Sequence, residues 1–187
     1  MPKIGFLVSG RGSNMAAVLE AIAAGRLAAE ARVAVCDNPA APALALAAGR
    51  GLPAVLIERK SFPRRREFEE ALVRALKEHG AGLVVLAGFM RLLGPAFLAA
   101  FPGRVINIHP SLLPAFPGLE AQRQALERGV KIAGCTVHYV NEVMDGGPII
   151  AQAAVPVEPD DTVESLSARI LAQEHSLLAR AIAGLEG

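Results

Sequence analysis

The sequence predicts an α/β fold: a mostly parallel sheet with helices on both faces, finished by an antiparallel C-terminal edge. Three features carry that expectation. The N-terminal half alternates strand-type and helix-type periodicity. Leu83–Ala87 is apolar throughout, as a strand buried on both faces must be. The last two strand-like runs are joined by a connection too short for a helical crossover, which implies antiparallel pairing.

Lys3–Ser9 reads as a strand that runs into the Gly-rich turn Ser9-Gly-Arg-Gly-Ser-Asn14. A helix follows from about Asn14 to Ala24, stopped by Gly25. Arg32–Cys36 is a second strand, followed by a Pro-bearing loop and an Ala-rich helix to Gly49; Ala54–Ile57 is a third strand. Ser61-Phe-Pro reads as a helix start, and Phe68, Leu72 and Leu76, spaced one turn apart, give that helix an apolar face. Leu83–Ala87 is the fourth strand, Pro95 opens a short helix, and Val105–Ile108 is the fifth strand. Beyond Pro114 the pattern changes to a helix near Glu120–Arg128 and two strands, about Gly134–Val140 and Ile149–Val157, around Asp145-Gly-Gly147. The closing helix starts at Asp161-Thr-Val-Glu164, which has capping-box spacing with Asp161 as the cap, and runs to about Leu185. No repeat, linker or low-complexity tract interrupts residues 1–187, which therefore read as a single domain.

Composition removes several classes of function. Lys and Arg number 19 against 18 Asp and Glu, a net charge of +1, so no global field draws nucleic acid or an anionic membrane. There is no Trp and no basic–aromatic interleaving, which further disfavours nucleic acid. No uncharged apolar run reaches the roughly 18 residues of a membrane span. The short apolar start meets no small-residue cleavage site, and a cytoplasmic enzyme is expected. Cys36 and Cys135 are isolated and read as small hydrophobes, while the four histidines form no HExxH; no metal is expected.

Ligands of parallel α/β sheets lie beyond the carboxyl ends of the strands, where Ser9, Gly88 and His109 all fall. The richest segment there is Val105-Ile-Asn-Ile-His-Pro-Ser-Leu-Leu-Pro114. Asn107 and His109 share a strand face by period-two spacing, and an amide beside an imidazole suits polarising a carbonyl and carrying a proton. Ser9–Asn14 offers glycines and a helix N-terminus to an anion. A dinucleotide site would want a third glycine where Met15 stands, although Asp37 could read a ribose; a Walker loop would want Lys where Ser13 stands. A single phosphate monoester fits best, with Ser13 and Asn14 as side-chain donors. Asp145 is either an ordinary turn residue or a carboxylate that favours the charged form of His109.

Ala87-Gly-Phe-Met-Arg-Leu92, Asn107-Ile-His-Pro-Ser-Leu-Leu-Pro114, Pro117-Gly-Leu119, Gln122-Arg-Gln-Ala-Leu126, His138 and Asp145-Gly-Gly-Pro-Ile149 follow one another in order. With Ser9–Asn14 they resemble the folate-dependent phosphoribosylglycinamide formyltransferases of purine biosynthesis, over nearly the whole chain. The Asn-His-Asp trio is shared with methionyl-tRNA formyltransferase and formyltetrahydrofolate deformylase, so it marks the chemistry; the phosphate loop and Pro117–Leu126 mark the branch.

The resemblance implies a Rossmann-like domain with a phosphate-binding lobe over about 1–104 and a catalytic and folate lobe over about 105–187. It implies Asn107, His109 and Asp145 as the catalytic trio. Gly12, Ser13 and Asn14 would hold the ribonucleotide phosphate, and Glu174 would contact the ribonucleotide. Met90, Arg91, Leu92, Leu93, Asn107, Val140, Asn141, Val143 and Asp145 would line the folate pocket. Arg65, within Arg64-Arg-Arg66, would meet the folate glutamate tail. The implied co-substrates are 10-formyltetrahydrofolate and glycinamide ribonucleotide, with no metal, nucleic acid or membrane partner, in a monomer or homodimer. The tetrahedral oxyanion would be held by Asn107 and His109, with Asp145 as charge partner and proton acceptor. Two other readings are a formyltetrahydrofolate hydrolase, in which water replaces the amine, and a non-catalytic Rossmann-like nucleotide-binding module.

Overall fold

The computed structural model describes residues 1–185. Its strands are β1 (Lys3–Val8), β2 (Glu30–Cys36), β3 (Ala54–Leu56), β4 (Leu83–Leu86), β5 (Val105–His109), β6 (Ile132–Tyr139) and β7 (Ile149–Pro156). The α-helices are α1 (Ser13–Ala23), α2 (Pro42–Gly49), α3 (Arg65–Glu78), α4 (Pro95–Ala100), α5 (Ala121–Arg128) and α6 (Val163–Gly184). One sheet runs β3-β2-β1-β4-β5-β6-β7. Pairing is parallel from β3 through β5 and antiparallel at β5–β6 and β6–β7, as the sequence predicts.

Period-two alternation sorts the strand residues between two cores. Ile4, Phe6, Val8, Ile106, Ile108, Cys135 and Val137 pack with α1, α2, α5 and α6. Leu7, Val33, Val35, Val84, Leu86 and Val105 pack with α3 and α4. Leu72 and Leu76 of α3 are fully buried there, each worth about 1.5–3 kcal/mol against exposure. Chain order reverses between β1 and β4, so the crevice at their carboxyl ends is the switch point of the sheet, and Ser9 N donates to Gly88 O across it at 3.1 Å.

Strand ends shift by a residue or two from the sequence reading, and two helix starts differ in how they are built. Ser61 ends a 3₁₀ turn (Arg59–Ser61), and α3 begins only at Arg65, with Arg64 as its N-cap. Arg65 and Arg66 thus occupy the first turn, and each pairs with a glutamate one turn on: Arg65 Nε to Glu69 Oε1 at 2.7 Å, Arg66 Nε to Glu70 Oε1 at 2.8 Å. These pairs offset the repulsion between the cations and the helix dipole. At α6 the cap is Thr162, whose side chain accepts from Ser165 N while Ser165 Oγ accepts from Thr162 N. Asp161 instead receives both terminal nitrogens of Arg169, at 2.7 and 2.9 Å, and that pairing holds its carboxyl well below the usual range. The same carboxylate also accepts from Glu158 N and from Ser165 Oγ, both at 2.7 Å, so Asp161 closes the turn before α6 while Thr162 caps it.

Candidate active site

On the face covered by α3 and α4, the sheet turns polar beyond Val105. Asn107 and His109 come up on β5, and the antiparallel register sets His138 and Thr136 of β6 directly opposite them. Thr136 is fully buried and secures the segment after His109: it donates to Ser111 O at 2.7 Å and accepts from Leu113 N at 3.0 Å and from Gln152 Nε2 at 3.0 Å. That segment returns over the strand end, where His109 Nε2 donates to Phe116 O at 2.9 Å.

The 145–147 turn delivers the carboxylate. Asp145 sits in the left-handed region (φ 50°), which Asp tolerates better than most residues. Both glycines after it are required by close approach: a Cβ on Gly147 would lie 1.7 Å from Tyr139 O, and one on Gly146 would lie 2.6 Å from Val143 Cγ1. Asp145 Oδ2 accepts from Gly118 N at 2.8 Å and stands 3.4 Å from His109 Nδ1, while Oδ1 stands 3.7 Å from His138 Nε2. The structure therefore brings Asn107, His109 and Asp145 together, and Asp145 is more than a turn-former. Both ring nitrogens of His109 face oxygen acceptors, an arrangement that only the doubly protonated ring fills with donors.

His138 is a member of this cluster that sequence reasoning did not place in a role. Burial pushes its imidazole below the ordinary histidine range, so the ring stays neutral. With Nδ1–H donating to Tyr139 O at 2.9 Å, Nε2 is left to accept from Asn107 Nδ2 at 3.2 Å. His138 thus fixes which way the Asn107 amide points. The signal was present: Thr136 and His138 are polar at period two inside an otherwise apolar strand.

The Gly-rich turn lies at the carboxyl end of β1. Gly12 is the N-cap of α1 at φ 75°, no side chain caps that helix, and its first turn holds no acidic residue, so the N-terminus is open to an anion. Asn14 is differently employed than expected. Its side-chain amide donates to Glu174 Oε2 at 2.7 Å, leaving its backbone N–H for an anion. Glu174 is buried, and this bond joins the loop to α6. Burial pushes the Glu174 carboxyl above the usual range, against the lowering effects of the Asn14 bond and of the charges of His175 and His109. A carboxyl raised on folding stabilises the fold while protonated, and that contribution is lost as pH rises through the raised value. Glu174→Gln has nothing to lose there. It should melt above wild type at pH values beyond the raised one and converge with wild type in acid, as thermal melts across pH would show; parallel curves at all pH would refute the linkage.

Large apolar side chains stand exposed past the ends of β4 and β6. Met90, Leu92 and Val143 are 70%, 57% and 64% exposed, unusual for large apolar side chains. Leu93 faces away, buried with α3 and α4, and Val140 packs partly into the same core. Asn141 staples its own turn, accepting from Val143 N at 3.0 Å. Arg65 reaches the first of these segments: its Nη2 donates to Leu92 O at 2.8 Å. Arg91 pairs with buried Asp37, which takes Asp37 out of the ribose-reading role. Among the described residues no group of three His, Cys, Asp or Glu is placed to hold a metal ion, and no helix is long and apolar enough to cross a membrane.

Fold and site together define a doubly wound α/β protein with a polar Asn–His–Asp cluster, an open helix N-terminus and exposed apolar side chains at the carboxyl ends of its parallel strands. A family model described as formyl transferase matches residues 2–182, and the chain belongs to that family. It is similar to the phosphoribosylglycinamide formyltransferase of Bacillus subtilis (strain 168), with 44% identity over 187 residues covering 100% of this chain and 96% of the relative. It matches the trifunctional purine biosynthetic protein adenosine-3 of Drosophila melanogaster at 44% identity, over 98% of this chain but 14% of that protein. The crystal structure of glycinamide ribonucleotide transformylase 1 from Symbiobacterium toebii superposes with a TM-score of 0.96 at 51% identity, covering 98% of this chain and 86% of that one.

Proposed function

We propose that this chain transfers the formyl group of 10-formyltetrahydrofolate to the amine of glycinamide ribonucleotide, a step of purine biosynthesis carried out in the cytoplasm. The observation that carries the reading is the Asn107–His109–Asp145 cluster, at the same strand ends as an uncapped helix N-terminus and exposed apolar side chains. The amine nitrogen forms a bond to the formyl carbon, and the carbonyl electron pair moves onto oxygen. The Asn107 amide and the His109 imidazolium stabilise that oxyanion. Asp145 takes up the proton the amine sheds, directly or through water. Collapse then breaks the bond to the folate nitrogen, which takes up a proton from His109 once the ring exchanges its Phe116 O contact for that nitrogen. Much of the rate comes from holding both substrates in one cleft.

In this reading the phosphate is bound by the backbone N–H groups at Gly12–Asn14, the ribonucleotide meets Glu174, and the folate lies on Met90, Leu92 and Val143 with its glutamate tail toward Arg65. Formyl transfer measured with and without glycinamide ribonucleotide tests it. Ribonucleotide-dependent transfer is expected, and folate deformylation indifferent to the ribonucleotide would replace the proposal with a hydrolase. The open N-terminus of α1 speaks against that second reading, since water brings no phosphate.

Gly12→Val should raise the ribonucleotide KM while leaving folate binding near normal. Its Cβ would stand 2.9 Å from Ala43 Cβ, at a φ that valine avoids. Losing charge-assisted bonds worth about 1.5–3 kcal/mol corresponds to roughly 10- to 100-fold. Steady-state kinetics on both substrates measures this; a folate-only defect would reassign the loop.

A further inference from the structure

We infer that Asp37 and Glu69 are positioning residues for the folate wall, holding the irregular segment Met90–Gly94 from behind so that its apolar side chains face outward in one fixed arrangement. The inference rests on the proposed folate reading of that wall. Four attachments carry it. Met90 N donates to Ser9 Oγ at 3.0 Å, at the end of β1. Arg91 Nε donates to Asp37 Oδ2, just past the end of β2. Leu92 O accepts from Arg65 Nη2 at 2.8 Å, and Gly94 N donates to Glu69 Oε1 at 2.8 Å, both on α3. Three separate elements of the scaffold therefore grip one short segment.

Both carboxylates are buried, Glu69 at 4% exposure and Asp37 at 7%. Buried carboxylates are costly unless paired, and each of these is paired only through this segment or its props. Glu69 Oε1 gathers Arg65 Nε and Gly94 N together, and there is no room for a side chain at Gly94, where a Cβ would lie 2.9 Å from Glu69 Oε2. Asp37 Oδ1 is buried without a hydrogen-bond partner, so releasing Arg91 would strand the carboxylate altogether. Arg91 is further seated against the Phe68 ring of α3, its guanidinium carbon 5.9 Å from the centroid. A guanidinium so held acts as a tether of the loop. The wall it secures needs no ordering when the ligand arrives, which lowers the entropic cost of binding.

The test uses Asp37→Asn, Arg91→Gln and Glu69→Met. Hydrogen exchange at the Gly94 amide should speed at least about tenfold in Glu69→Met, since that amide loses its acceptor. The Kd for tetrahydrofolate should rise roughly tenfold in each variant, while the ribonucleotide Kd stays within about twofold. The double variant Asp37→Asn/Arg91→Gln should bind folate no worse than the weaker single variant, because the two act through one contact. Wild-type protein that binds tetrahydrofolate, with variants that bind it equally well, overturns the inference and leaves the function standing. Equal weakening of both ligands alongside a lowered Tm overturns it in favour of a purely structural role, and additive losses in the double variant overturn the Arg91 route. Wild-type protein that does not bind tetrahydrofolate overturns the folate reading and the inference together.

Discussion

Asn107→Ala should lower turnover by about 10²–10³-fold, the usual loss when a preorganised oxyanion donor is removed. His109→Ala should cost at least as much, because it removes both a charge facing the oxyanion and the acid for the departing nitrogen. The Asn107 amide is oriented by its neighbour: one N–H is held by neutral His138, which leaves the other in a set direction. Ground-state binding depends on contacts elsewhere, at the helix N-terminus and the exposed apolar side chains, so Kd values for both substrates should change only slightly. Single-turnover rates combined with equilibrium titrations separate the two effects. Near-normal turnover in both variants would remove the proposed chemistry; intact rates with weakened binding would reduce these residues to ligand contacts.

The element order and sheet direction were legible because they rest on local periodicity and connection length, which the chain carries residue by residue. Boundaries that depend on competition between partners were not. Asp161 has the spacing of a cap, but the winning partner is Arg169, two turns into the helix, and only the folded geometry shows that it reaches. The site divides the same way. The shared face of Asn107 and His109 was readable from one strand, and the open N-terminus of α1 from its glycines and the helix after it. Glu174 was not, because on an amphipathic helix a glutamate is ordinarily exposed; its burial follows from α6 lying against α1, which brings Asn14 to it. Arg65 reads as a ligand contact from its place in a cationic run, yet it also props Leu92 O, a bond no local pattern announces. His138 escaped assignment because its role is to orient a residue on another strand.

Asp145→Asn should be the most damaging near-isosteric change in the protein, with turnover falling by roughly 10²-fold or more while the fold survives. The carboxylate does two things at once. Oδ2 anchors Gly118 N and faces His109 Nδ1, and Oδ1 faces His138 Nε2. In the asparagine variant the carbonyl oxygen must take the Oδ2 place, because an amide NH₂ there would oppose the Gly118 N–H. The NH₂ then points at His138 Nε2, whose single lone pair already receives Asn107 Nδ2. One substitution thus removes the anion facing His109 Nδ1 and offers His138 a competing donor, unfastening the Asn107 amide. Both oxyanion groups suffer, and the base is lost as well. Asp145→Asn combined with Asn107→Ala should therefore be little worse than either alone, since the members act as one unit. Imidazole ¹⁵N NMR at a fixed pH should show a changed Nδ1 signal at His109, whose facing carboxylate is gone, and a second donor at His138 Nε2. Unchanged spectra for both rings would mean that the carboxylate is not coupled to them, and fully additive kinetic losses would mean that Asp145 and Asn107 act independently.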